Sequence, residues 1–344
     1  MARPRDVQPR GPWKTAWLRV RRDRWTMVAL VTLAVVIVVA LFGGAVVTRI
    51  VGHDGARPFP YAATGTHLTP VGPWTRVPET AQTELDEYGN IVEPAKDAKT
   101  TLLVLGGDGS LGRDELIRVL DGGRTSLEIG IGAVIVALLV AVPIGAAAGY
   151  FGGLVDAAVS RFTETVMAFP MLLFLVFATA KLAPVLEGVN YSWVVPKGVF
   201  ADMLLIGVFT SFYPTRLVRS QLLVLRNAEF VDAAHMIGAS DLRILRRHLF
   251  RHLVPTLLVW GAIAVATNIL LEVSLSFIGI GVPPDVPTWG SLLSNAWGTI
   301  YTRSLTTPTV WQTLFPTVAI FVTVVALNQV SEGVRRALDP GARV

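Results

Sequence analysis

His248 and His252 stand four residues apart in "RRHLFRHLVP" (246–255). That spacing sets two imidazoles on one helix face, the arrangement from which many zinc sites are built. Hydrolytic chemistry of the H-E-x-x-H kind would also need a glutamate beside the first histidine, and Leu249 stands there. The pair therefore reads as a solvated helix face. The chain has no cysteine, which excludes disulfides and thiolate metal sites. It contains no G-x-x-x-x-G-K-[ST] stretch to cradle ATP phosphates, and no Ser/His/Asp arrangement. No catalytic residue, no metal ligand and no cofactor of its own is assigned to this chain.

A second pattern is richer. In "EFVDAAHMIGASDLRILRRHL" (229–249), Phe230, Ala233, Ala234 and Ile237 recur at helical spacing and give a first short helix one apolar stripe. Gly238 supplies a left-handed stop. Ser240 then stands where a cap for the second helix is needed, with Asp241 in its first turn. Arginines crowd that second helix, and in a soluble protein the unit would suggest a helix-turn-helix for nucleic acid.

The surrounding chain argues otherwise. Of the side chains, 52% are hydrophobic and only 16% are charged, too apolar for a soluble domain that must cover itself with polar groups. A bilayer core of about 30 Å requires roughly 20 apolar residues per helix. Six windows of that kind occur: Trp25–Val47, Ser126–Tyr150, and about 166–186, 200–224, 253–279 and 309–330. Pro214 should kink or end the fourth. The reading is an all-α integral membrane protein with six transmembrane helices.

Charge sets its orientation. Residues 1–24 carry seven Arg and one Lys against two Asp, which places this basic N-terminus in the cytoplasm. The 216–252 loop holds seven Arg, whereas 280–308 holds only Arg303, the alternation that six spans require. The C-terminus, 334–344, is then cytoplasmic too. Segment 48–125 falls outside, either as a small cap or as a loosely structured excursion, with a turn expected at Gly89-Asn90. The stretch 229–252 is thereby a cytoplasmic loop held between two spans. Its stripe suits a groove on a cytoplasmic partner, or else the membrane surface; nucleic acid is excluded as a partner.

Two further features lie within the spans. Ala141, Gly145, Gly149 and Gly153 repeat every four residues, a spacing that admits a neighbouring helix at close range if it is not a chance run. Glu272 is an acid inside the fifth span and is costly there unless it meets a partner or a water-filled cavity. It serves either a structural role with Asn268 and Ser274 nearby or substrate contact.

The stretch "EFVDAAHMIGASDLRILRRHLFRHLVP" resembles the EAA loop of bacterial ABC importer permeases, in the form typical of the C-type subunit of dipeptide and oligopeptide transporters. The likeness continues in "GDGSLGRDELIRVLDGGRTSLEIG" (107–130), "AGYFGG" (148–153), "LEVSLSFIGIGVPP" (271–284), "PTWG" (287–290) and "RRALDP" (335–340). The resemblance implies a type I ABC importer permease fold with an enlarged extracytoplasmic segment, in the bacterial cytoplasmic membrane. It makes 229–249 the coupling helix, with Glu229, Phe230, Asp232, Ala233, Ala234, Ile237, Gly238 and Asp241 as its contacts. It implies a homologous permease partner, two cytoplasmic ATPase subunits that carry ATP and Mg²⁺, and an extracytoplasmic binding protein delivering peptides. Nickel, glutathione or opines are the alternative cargoes, and a stand-alone secondary transporter the rival class. The chain departs from the family pattern where Asp232 replaces the Glu that opens the EAA triplet and Arg251 replaces a proline. Residues 52–105 and 181–200 are also longer than usual.

Overall fold

The computed structural model describes residues 12–64, 69–79, 99–109, 111–187, 198–283, 285–301 and 310–338. The turn expected at Gly89-Asn90 lies outside them. The described chain is mostly helical. Its helices are α1 (Pro12–Arg22), α2 (Arg24–Val51), α3 (Glu115–Phe151), α4 (Gly153–Met167), α5 (Met171–Glu187) and α6 (Val199–Thr210). They continue as α7 (Phe212–Leu225), α8 (Glu229–Met236), α9 (Asp241–Phe277), α10 (Trp289–Tyr301) and α11 (Val310–Leu338).

Four of these, α2, α3, α9 and α11, are long and apolar enough to cross a membrane, and α4 with α5 form a fifth candidate bent by 91°. The third expected window is thus broken at 168–170, where Pro170 cannot continue α4. The fourth is broken as well: α6 stops at Thr210 and α7 starts at Phe212. Pro214 explains the position, because its ring collides with the carbonyl four residues earlier, which is that of Thr210. The second window begins eleven residues earlier than its apolar run, at Glu115 instead of Ser126, because Asp114 caps the helix there. The Asp114 carboxylate accepts from Leu116 N at 2.9 Å and Ile117 N at 3.4 Å.

An all-α description needs correcting in the segment between α2 and α3. Three short antiparallel ladders pair β1 (Ala63–Thr64) with β2 (Thr69–Pro70), β3 (Thr75–Pro78) with β4 (Thr100–Leu103), and β5 (Gly107–Asp108) with β6 (Arg113–Asp114). Phe59, Ala62, Val77 and Leu103 form their common core. The described parts of this segment form a folded cap.

α3 is the hub, packed against α2, α6, α7 and α9. The central core joins Ala40, Leu127, Ala266, Ile269, Trp289 and Ile320 from five helices. α2 has the opposite character: it exposes Val31, Val35, Val38 and Phe42 along its middle, a face suited to lipid. The ends of the bundle are distinct. His53, just past α2, meets Asp114 at 3.0 Å, and Gln312 of α11 donates to the Gly107 carbonyl at 2.6 Å, so these ends gather under the cap. At the other end Val20 of α1 packs on Ala337, and Arg336 pairs with Asp23 at 3.1 Å. The Thr26 hydroxyl, bonded to Asp23, holds that carboxyl below the usual range. Tyr150 and the 226–252 loop lie at this same end, since α3 runs away from the cap.

Candidate functional site

The loop that joins α7 to α9 is built on α8. Glu229 and Asp232 sit in its first turn, where negative charge complements the helix dipole, although Ala228 provides no side-chain cap. Val231 and Ala234 turn inward and join Val218, Leu222, Ile244, Leu249 and Leu253 in a buried cluster. Gly238, at φ +80°, closes α8: its N–H bonds to His235 O at 2.9 Å and the Ala239 N–H bonds to Ala234 O at 3.0 Å. This is the paired Schellman arrangement, and only the backbone demands glycine, because an added Cβ would meet nothing. Ser240 occupies the N-cap position of α9, but its hydroxyl makes no capping bond. The side chain that fastens the turn is Tyr150, whose hydroxyl donates to Asp241 at 2.7 Å. α9 then opens with a π-helical stretch, Ile244–Leu249, which brings two residues five apart, Ile244 and Leu249, into the same buried cluster.

The expected stripe is therefore divided. Ala234 is only 4% exposed and faces the chain's own core, so it is not available to an outside groove. Its helical neighbour Val231 completes the inward face. Outward stand Phe230, Met236 and Ile237, the last at 86% exposed, joined by Leu242 from the start of α9. Asp232, Ala233 and Asp241 are exposed among them. The sequence pattern singles out neither Met236 nor Leu242. Both sit at positions whose exposure depends on how α8 lies against α7, which periodicity in an eight-residue helix does not reveal. Four apolar side chains of this size bare on one short loop mark a surface awaiting cover.

A second constellation surrounds Glu272, fully buried in α9. Its carboxylate accepts from Ser126 Oγ of α3 at 2.9 Å and from Ser276 Oγ at 2.8 Å. Ser126 Oγ accepts in turn from Trp289 N at 3.2 Å, so the acid is tied to the start of α10. Ser274 is not one of its partners: it donates to the Leu270 carbonyl of its own helix at 2.7 Å. Asn268, also buried, donates to Gly130 O at 3.5 Å, one turn from Glu272. Gly279, at φ +82°, ends α9 with the same two hydrogen bonds as Gly238, Gly279 N to Ser276 O and Ile280 N to Leu275 O, both 3.0 Å. Beyond it Gly290 lies so close to α9 that an added Cβ would stand 2.8 Å from Val273 Cα. The acid thus works as a joint between α3, α9 and α10.

The stretch 107–118 gives a third cluster, beneath the cap. Arg118, fully buried, pairs with Asp108 at 2.6 Å, while Asp114 holds both the start of α3 and His53. Burial pushes the Asp108 carboxyl up, against the pull of Arg118 and Arg113. With the Gln312 bond to Gly107, these bonds lock the cap onto the ends of α2, α3 and α11, which is an architectural task.

The small-residue repeat also resolves residue by residue. A Cβ on Gly145 would stand 2.6 Å from Thr215 O and one on Gly149 2.7 Å from Arg219 O, so α7 lies against this face of α3 together with the buried Ala141. Gly153 is excluded from the contact. α3 ends at Phe151, and Gly153 begins α4 in open space. Asp156 of α4 bonds Arg219 of α7 at 2.9 Å, which braces the same region. Among the described residues no group of three or more His, Asp or Glu side chains is placed to hold a metal ion. His252 instead lies with its ring 5.5 Å from that of Phe230.

Residues 141–344 match the family described as "Binding-protein-dependent transport system inner membrane component", and residues 11–69 match "N-terminal TM domain of oligopeptide transport permease C". A putative peptide transport system permease protein of Brucella suis is 35% identical over 240 residues, 69% of this chain and 74% of that protein. The glutathione transport system permease protein GsiD of Escherichia coli is 31% identical over 333 residues, 97% of this chain and 92% of that one. Among solved structures, the MetNI methionine ABC transporter in inward facing conformations aligns with a TM-score of 0.49 at 16% identity, covering 64% of this chain and 96% of that one.

Proposed function

As a member of the family of binding-protein-dependent transport system inner membrane components, the chain is the permease subunit of an ABC importer, and we propose that with a homologous permease it encloses a pathway for peptides. Two ATPase subunits, which carry the ATP and Mg²⁺ this chain has no P-loop to hold, would dock on the 229–242 surface. A binding protein would deliver substrate at the cap. Six spans follow if α4 with α5 and α6 with α7 each cross once, beside the four long helices. Both termini then face the cytoplasm of a bacterial cell with the coupling loop, and the cap lies outside. The arginine distribution and the meeting of α1 with the end of α11 support that orientation. Glutathione is the second reading for cargo, favoured by the near full-length similarity to GsiD.

The observation that carries the coupling role is the bare apolar set of Phe230, Met236, Ile237 and Leu242 on a loop anchored by Tyr150 and by the Val231 and Ala234 side chains. Ile237→Asp places a charge on that surface without touching the core beneath. Burying an unpaired charge costs several kcal/mol, which exceeds what a few contacts on one short helix return. The variant should insert and pair with its permease partner, but lose the ATPase on co-purification and lose transport. Retention of the ATPase with wild-type coupled hydrolysis would remove the coupling role from this loop.

A further inference from the structure

Two helix interruptions converge on one cavity. α4 and α5 break at 168–170, α6 and α7 break at Ser211, and between these breaks and α9 lies a half-open space of about 300 Å³. Phe169, Phe174, Phe209 and Trp260 stand in its wall, with Thr267 and Asn268 of α9. The Phe174 and Phe209 rings lie 4.4 Å apart, centroid to centroid. Interrupted membrane helices are where transport proteins expose backbone and build binding sites, because unbroken helices leave no polar groups free.

The α9 face turned toward this space is mixed in character: Trp260, Ile263, Ala264, Thr267 and Asn268 line it, and the Thr267 hydroxyl bonds to the Ile263 carbonyl of its own helix at 3.3 Å. α2, by contrast, shows lipid only apolar side chains along its middle. Asn268 adds an independent sign. It is fully buried, its Nδ2 is spent on Gly130 O, and its Oδ1 has no partner. A buried acceptor left unpaired is costly, and it suits an incoming N–H. No charged side chain lines the cavity among the described residues, and its volume is at the small end of ligand sites, right for one bulky side chain.

We propose that this cavity receives an aromatic or branched aliphatic side chain of the transported peptide, with Asn268 Oδ1 accepting from a peptide N–H. The importer is then selective for peptides bearing such a side chain over glutathione, whose small thiol and two carboxylates leave the aromatic wall unfilled. The inference rests on the importer reading above.

The test uses the whole importer in proteoliposomes with its partner permease, ATPases and binding protein. Uptake of Ala-Phe-Ala, Ala-Ala-Ala and glutathione is followed at saturating loaded binding protein, so that differences in turnover belong to the membrane subunits. Wild type should favour Ala-Phe-Ala over both of the others. Thr267→Phe fills the cavity from an exposed position and should lower the ratio of Ala-Phe-Ala to Ala-Ala-Ala uptake about ten-fold, the scale on which pockets sort side chains by size. Ile263→Trp, on the same exposed face, should repeat the effect. An unchanged ratio in both variants would assign the cavity to a lipid chain or to a helix of the partner permease, and faster glutathione uptake in wild type would overturn the selectivity. If wild type moves no tripeptide on adding ATP, the importer reading itself fails, and this inference with it.

Discussion

Gly238 and Gly279 close two helices with the same pair of hydrogen bonds, yet the chain after each turn meets a different fate. Around Gly238 the turn stays open: Met236, Ile237 and Leu242 remain exposed, the Tyr150 hydroxyl bridges Asp241 at 2.7 Å and His235 at 3.3 Å, and the chain regains full burial at Ile244. After Gly279 the chain folds back onto α9 and α3. There Val282 is buried, Gly290 lies against Val273, and Trp289 N reaches Ser126, which reaches Glu272. One local signal, a left-handed glycine after an apolar helix, thus makes an open docking surface in one place and a sealed joint in the other. What separates them is how the returning chain is held: by a buried polar network through Ser126 and Glu272 after Gly279, and by an exposed Tyr150 bond with apolar packing at Ile244 after Gly238.

The largest effect should come from opening the sealed joint. Glu272→Ala leaves two buried serine hydroxyls without their acceptor, at about 1–3 kcal/mol for each stranded group. Thermal melting of the purified permease pair should fall well below wild type; an unchanged melting point would show that the carboxylate is dispensable. Gly279→Val and Gly238→Val come next, and they form a matched pair. Each forces a β-branched residue into the left-handed region, at about 1–2 kcal/mol. At Gly279 the turn aims the chain toward the joint of Trp289, Ser126 and Glu272, so strain there should lower the melting point. At Gly238 the strained turn can open while Val231, Ala234 and Ile244 stay packed, so melting should fall less while ATPase co-purification drops. Equal melting shifts in the two variants would show that the two turns are anchored alike. Tyr150→Phe should be the mildest change. It removes a hydrogen bond worth about 0.5–1.5 kcal/mol, so amide exchange at 239–243 should quicken by roughly ten-fold or less. No change in exchange would mean that the Val231 and Ala234 packing alone holds the turn.

The sequence by itself determined a good deal. Hydrophobic windows located the long helices, because apolar length is a local property. The stop at Gly238 and the break near Pro214 were legible for a similar reason, since both follow from steric limits on one or two residues. Motifs in order along the chain placed it in its family. Three things stayed hidden until the chain was folded. Ala234 shares helical periodicity with Phe230 and Ile237, yet it faces inward, because the lie of α8 is set by Val218, Leu222 and Leu253 on other helices. Glu272 has serines at 274 and 276, and only Ser276, one turn on, shares its face; another partner, Ser126, is 146 residues away. The cap was ambiguous because its strands are two to four residues long, too short to show alternation, and their small core forms only when all the pieces meet. Composition, steric stops and hydrophobic length act within a few residues and can be read from the chain, whereas the direction a side chain faces depends on contacts between distant segments, which exist only in the tertiary fold.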